Sequence, residues 1–225
     1  GYIEGDIENC ENSGEVSIIS PDDVSASSTR PAIGGVCGYI GYNAKSCTNK
    51  GAVTAKGVYA AGTEGNAGAL GCHQPLFGGV FGGAGIAYQA AADEGEIVDC
   101  HNKGNATFVV EQKKDGGTQS RLGGVVGYSS VPLTGCTNTG ALTFKPGHAK
   151  SMMGGIVGYA CKDVTSCINE GRLDYNGRAD ELVPADAKAS GQIYLAGIVG
   201  YTAEVVITIK NCENKAPLSY TGQNA

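Results

Sequence analysis

Nine cysteines, three histidines and several acidic pairs are the residues of this 225-residue chain equipped to act as metal ligands, nucleophiles or bases. Six of the cysteines recur in one setting, Cys-x-Asn-x-Gly, at Cys10, Cys47, Cys100, Cys136 and Cys167, with a sixth copy at Cys212 ending in Ala216. Structural zinc sites draw on ligand pairs such as Cys-x-x-Cys, and the chain has none. His73 follows Cys72, but a nucleophile and its base need hydrogen-bond reach in space, which adjacency in sequence does not supply. His101 stands at a repeat position that holds Glu, Thr or Ile in the other copies, so it reads as exposed, and His148 has no partner motif. The pairs Asp22-Asp23, Asp93-Glu94 and Asp180-Glu181 fall in polar stretches and read as solvated loops, not as the converging carboxylates of a glycosidase or a calcium site. No Gly-x-Ser-x-Gly elbow, His-Glu-x-x-His pair or Walker loop is present, and the glycines of Gly78–Gly85 belong to a repeat with no helix after it. The reading is a chain with no catalytic group, no metal and no cofactor.

Tyrosine offers a different chemistry. Its ring is apolar and its hydroxyl wet, which suits it to stacking on sugar rings. Tyr39, Tyr128, Tyr159 and Tyr201 share one repeat position and are expected to stack as a row. Tyr42, Tyr59, Tyr88 and Tyr194 stand outside the strict pattern beside inserted stretches, and these four are the candidate ligand-binding residues. Packing beneath the loops is the alternative role for them.

The elements that position these residues follow from the repeats. Three residues before each repeated Cys stands Ile7, Ala44, Ile97, Leu133, Val164 or Ile209; six after it stands Val16, Val53, Ala106, Leu142, Leu173 or Leu218. Two further on come Ile18, Ala55, Phe108, Phe144, Tyr175 and Tyr220. A second motif, apolar-Gly-Gly-apolar-apolar-Gly-Tyr, precedes five of the copies, as in Leu122–Tyr128 and Met153–Tyr159; Ala196 replaces its first Gly once, and Gly83 its Tyr. The Gly-rich run is too short for a helix and predicts a strand covered on both faces. Alternation after the Cys motif predicts a second strand with one apolar face. Such a unit cannot bury its own stripe, whereas stacked copies pair equivalent strands in parallel around a continuous core.

The expected fold is therefore all-β: a right-handed parallel β-helix, or β-solenoid, of five to six irregular repeats forming a single domain over 1–225. Repeats of 31 to 53 residues leave loop insertions at Ser20–Pro31, Lys56–Pro75, Glu111–Arg121 and Tyr175–Gln192. Stacking puts the six repeated cysteines about 4.8 Å apart. Their parallel Cβ vectors favour an interior ladder of free thiols over disulfides or a metal site. Cys37 takes a strand position filled by Phe or Val elsewhere, while Cys72 and Cys161 lie near loops. The repeated Asn, from Asn12 to Asn214, is expected to make Asx-type bonds at a left-handed corner and to bond its copies amide to amide.

Composition narrows the partners. The 37 glycines lack a collagen period and point to corners or close backbone approach. With a net charge of −6 and a pI near 5.1, the chain has no basic patch for nucleic acid. Mean hydropathy is −0.10, and no run approaches the roughly 20 apolar residues of a membrane span. The first residues do not form a signal peptide and fall inside a repeat, so the chain reads as a fragment of a longer exported protein, expected to be monomeric.

At the level of Gly-Gly-Ile-Val-Gly-Tyr followed by Ser-Cys-Ile-Asn-Glu-Gly, the chain resembles the GLUG-motif repeats of bacterial surface and secreted proteins. The resemblance spans Glu8 to Tyr220 and is strongest over Leu122–Tyr175. It implies a β-solenoid on an exported, cell-surface protein, of the adhesin type. Some family members are metallopeptidases; their zinc motif is missing here, so proteolysis is not implied. The expected function is a non-catalytic extracellular module whose loops bind a glycan or a host or cell-surface protein. A structural spacer and a polysaccharide-degrading β-helix enzyme are the alternatives.

Overall fold

The computed structural model describes residues 1–20, 32–58, 75–85, 94–111, 119–146, 150–177, 192–202 and 206–221. Among them 29 short strands, from β1 (Tyr2–Ile3) to β29 (Leu218–Thr221), wind into six coils. The fourth coil shows the plan: β15 (Gln119–Gly123), β16 (Val126–Ser129), β17 (Leu133–Thr134), β18 (Thr137–Asn138) and β19 (Leu142–Lys145). Equivalent strands of successive coils pair in parallel, giving five sheets, here numbered I to V in the order one coil visits them. Sheets II to V have six strands each; sheet I has five, because the first coil contributes none to it. The all-β parallel solenoid expected from the repeats is the fold of the chain. Several strands reach beyond the loop limits expected from sequence: β9 (Val53–Val58), β14 (Ala106–Glu111) and β24 (Leu173–Asn176) carry pairing into those stretches.

The Gly-rich motif is not one strand, as its length suggested, but two strands around a bend. In the fourth coil Leu122-Gly123 ends β15, Gly124-Val125 turns, and Val126 opens β16 in the next sheet. The bend exists because two rows meet there without room for side chains. A Cβ on the second glycine of each pair would lie 2.2 to 2.5 Å from the Cγ of the repeated Asn of its own coil, at Gly35 with Asn49, Gly79 with Asn102, Gly124 with Asn138, Gly155 with Asn169 and Gly197 with Asn214. Real Cβ atoms do not approach that closely, so the Gly-Gly and Cys-x-Asn motifs are two sides of one contact.

That contact narrows the coil like a waist, with a hydrophobic core on each side. One core holds the thiol ladder with Ile97, Leu133, Val164 and the apolar residues of the bend. The other joins sheets I and V through a column of rings: Phe77 on Phe108 at 3.7 Å, Phe108 to Phe144 at 5.3 Å, Phe144 to Tyr175 at 5.6 Å. Burial pushes the Tyr175 hydroxyl up to about 12. The alternation expected after the Cys motif is present, with Leu142 and Phe144 buried and Thr143 and Lys145 turned outward.

The expected amide ladder forms. Each Asn donates its Nδ2 to the Oδ1 of the next copy, at 2.8 Å from Asn12 to Asn49, 3.0 Å to Asn102, 2.8 Å to Asn138, 2.8 Å to Asn169 and 2.7 Å to Asn214. The same nitrogen bonds the carbonyl two residues on, as Asn138 does to Gly140 at 3.0 Å. The left-handed corner, however, is not at this Asn. It falls on the residue before each Cys, with φ of 50° to 69° at Asn9, Ser46, Asp99, Gly135, Ser166 and Asn211. Small polar residues and glycine tolerate that region best, which explains what fills the position.

Candidate functional site

The eight described cysteines are free thiols. Cys47, Cys100, Cys136 and Cys167 are wholly buried, and Cys10 and Cys212, in the end coils, are half-buried. Each ladder thiol donates to the carbonyl two residues earlier, across the left-handed corner, as in Cys100 to Val98 at 3.4 Å and Cys167 to Thr165 at 3.2 Å. The neighbouring Cys167 thiol and burial together push Cys136 well above the ordinary thiol range, and burial raises Cys37. The shifts alternate along the row: the neighbouring Cys100 thiol holds Cys47 below the ordinary range, and the Cys136 thiol holds Cys167 below it. Cys37 pairs in register with Phe81, the replacement expected from the repeats.

The other reactive side chains are dispersed. His101 lies on sheet IV with its Nδ1 2.8 Å from Thr137 Oγ1, and burial holds its imidazole below the usual range. The acids Glu11 and Glu170 bridge coils, to Lys50 at 2.8 Å and Lys215 at 3.1 Å. Among the described residues no group of three or more His, Cys, Asp or Glu side chains is arranged to hold a metal ion. No helix among them is long and apolar enough to cross a membrane. Cys72, His73, His148, Asp22-Asp23 and Asp180-Glu181 lie outside the described residues.

The aromatic row gives the best-formed surface feature. On sheet II the register runs Tyr2, Tyr39, Gly83, Tyr128, Tyr159, Tyr201. Gly83 divides it. On one side Tyr2 stacks on Tyr39 at 5.7 Å; on the other Tyr128, Tyr159 and Tyr201 follow at 5.5 and 5.1 Å, all three half-buried. Sheet I meets this second run along a crease. Tyr194, on β25 (Gln192–Ala196), sets its ring 4.6 Å from Tyr201 and donates its hydroxyl to Gln192 Oε1 at 3.1 Å. The buried Arg121 guanidinium lies 5.0 Å from the Tyr128 ring and 4.4 Å from the Tyr159 ring, inside cation–π range. Its Nη2 donates to Gln119 at 3.3 Å. Cys161 donates its thiol to the Tyr128 hydroxyl at 3.6 Å, and burial with that contact raises the Tyr128 hydroxyl.

Of the four tyrosines singled out from sequence, Tyr42 and Tyr194 are among the described residues, and Tyr194 joins this surface. Tyr42 is half-buried in the turn after β6 (Cys37–Ile40) and takes part in none of the ring contacts among the described residues. Tyr59 and Tyr88 lie outside the described residues. Two members escaped the sequence reading. Tyr2 follows Gly1 in a further copy of the Gly-Tyr pair, in register with Tyr39. Arg121 holds a register position filled by Leu76, Met152 and Tyr194 in neighbouring coils, so a charge in an otherwise uncharged series was the available signal. Comparison with family models, with curated proteins and with solved structures returns no match for the chain, so the resemblance to GLUG-motif repeats rests on the motif residues alone.

Proposed function

We propose that the chain is a non-catalytic binding module of a bacterial cell-surface or secreted protein, an adhesin-type solenoid that holds a glycan on its tyrosine crease. The observation that carries this reading is the run Tyr128, Tyr159 and Tyr201 with Tyr194 against it: three rings in register on sheet II and a fourth set beside them from sheet I, each partly open to solvent. A ladder of rings at about 5 Å spacing suits an extended sugar chain lying along the solenoid axis, because each ring offers an apolar face and a hydroxyl rim. Preorganisation by the sheet limits the ordering cost of binding. The GLUG resemblance supports an exported, surface-displayed setting of the same kind.

The test is affinity electrophoresis in gels cast with mucin or with plant and host polysaccharides. Retardation by one polymer, lost in Tyr159→Ala and in Tyr201→Ala but kept in Tyr42→Ala, is the expected result. Clearing of the polymer would replace this reading with a degrading enzyme, and free migration in every gel would replace it with a spacer.

A further inference from the structure

The phenols of the crease carry a chemistry that binding does not use. Loss of one electron and one proton turns a phenol into a phenoxyl radical, and two such radicals held side by side couple. Tyr128, Tyr159 and Tyr201 stand ring to ring at 5.5 and 5.1 Å, and Tyr194 reaches across the crease to within 4.6 Å of Tyr201, the two rings inclined at 59°. Tyr159 has a coil on either side and is half-buried, as Tyr201 is, so the row opens sideways along sheet II. Paired strands hold both members of the closest pair. Tyr201, on β26 (Val199–Thr202), is in register with Tyr159 of β21 (Val157–Ala160), and Tyr194, on β25, with Met152 of β20 (Lys150–Gly154). The Arg121 guanidinium bears on the Tyr128 and Tyr159 rings, where a positive charge opposes removal of an electron and favours a radical at the Tyr201 end of the run.

We propose that Tyr194 and Tyr201 are an oxidative modification site, joined as dityrosine by hydrogen peroxide and a haem peroxidase. The peroxidase takes one electron and one proton from each phenol, and the peroxide leaves as two waters. The two phenoxyl radicals couple at ring carbons ortho to their oxygens, forming a carbon–carbon bond. The hydrogens on those carbons then move to the oxygens and restore both phenols, so the chain loses two hydrogens in all. The geometry suits the product. A direct ring-to-ring bond sets the ring centres one bond and two ring radii apart, a little closer than 4.6 Å, and linked rings twist out of a common plane as these already do. Holding the rings in place replaces a chance encounter of radicals by an intramolecular one. The link ties sheet I to sheet II inside one coil and fixes the crease. It is independent of any glycan lying there.

The test treats the dilute 225-residue chain with a haem peroxidase and peroxide, without any glycan, and follows the blue fluorescence of dityrosine. Trypsin then releases residues 189–210, a peptide whose only tyrosines are Tyr194 and Tyr201. That peptide is expected lighter by two hydrogens and resistant to fragmentation between the two tyrosines. Tyr194→Phe is expected to abolish the lighter peptide, with its fold checked by circular dichroism, while Tyr42→Phe is expected to keep it. Unfolding the parent in urea before oxidation is expected to cut the yield of this link roughly fivefold or more, because the rings are no longer held together. No dityrosine, dityrosine formed while peptide 189–210 keeps its mass, or an equal yield of the link from the unfolded chain would each overturn the proposal.

Discussion

His101 shows how a single side chain reports on the coil around it. Its neighbours in the row are Thr48 and Thr137, and the fold holds its imidazole low by burial. A depressed imidazole pKa means that the unfolded chain takes up the proton first, so this group's contribution is complete above the unfolded value of about 6.5 and fades as pH falls through the lower folded value. The expected outcome is that the denaturant midpoint of the parent drops more between pH 7 and pH 5 than that of His101→Thr; equal drops would remove His101 from the account. The residue scale was also where sequence was most legible. Six copies with matching flanks made the Cys and Asn ladders readable, because a repeated position in a stack must meet itself. Arg121 and the left-handed corners were harder to read. Arg121 is unique among its register mates, and the corners are filled by Asn, Ser, Asp and Gly with no common letter.

At the scale of strands and bends, the glycines divide by what they touch. A Cβ on Gly124 would lie 2.1 Å from the Gly155 carbonyl oxygen and 2.5 Å from Asn138 Cγ, whereas one on Gly14 would meet nothing nearer than 3.7 Å. Overpacking against backbone cannot be relieved by a rotamer change. Gly124→Ala is therefore expected to destabilise the chain by about 3 kcal/mol or more, and Gly14→Ala by under about 0.5 kcal/mol, in urea unfolding; similar midpoints for the two would refute the waist contact. The number of strands per coil was hidden for a related reason. Strands such as β17 and β18 are two residues long, shorter than any window in which a period of two can be seen. They are strands because neighbouring coils pair with them, which no single repeat discloses. The tyrosine site was half legible: the row followed from the repeats, but its partner Tyr194 and its charge Arg121 come from a different sheet, and only the crease brings them together.

For the whole molecule, each coil touches chiefly its neighbours, so length is adjustable. Removing residues 124–154 joins Gly123 to Gly155, restores the Gly-Gly-Ile-Val-Gly-Tyr run and sets Asn102 beside Asn169. That deletion is expected to give a folded chain one coil shorter, with its β circular dichroism kept and its urea m-value reduced by roughly a sixth, since m follows the surface exposed on unfolding; an unfolded product would show that the coils are not interchangeable. The asparagine row adds something that length does not. Every amide in it points the same way, N–H toward the C-terminal end and oxygen toward the N-terminal end. Aligned amides polarise one another, so the row has a sense as well as an extent. At one tip it offers the oxygen of Asn12, at the other the nitrogen of Asn214. The solenoid is in that respect a vector, with a donor sense toward its last coil and an acceptor sense toward its first, although every coil is built on the same plan.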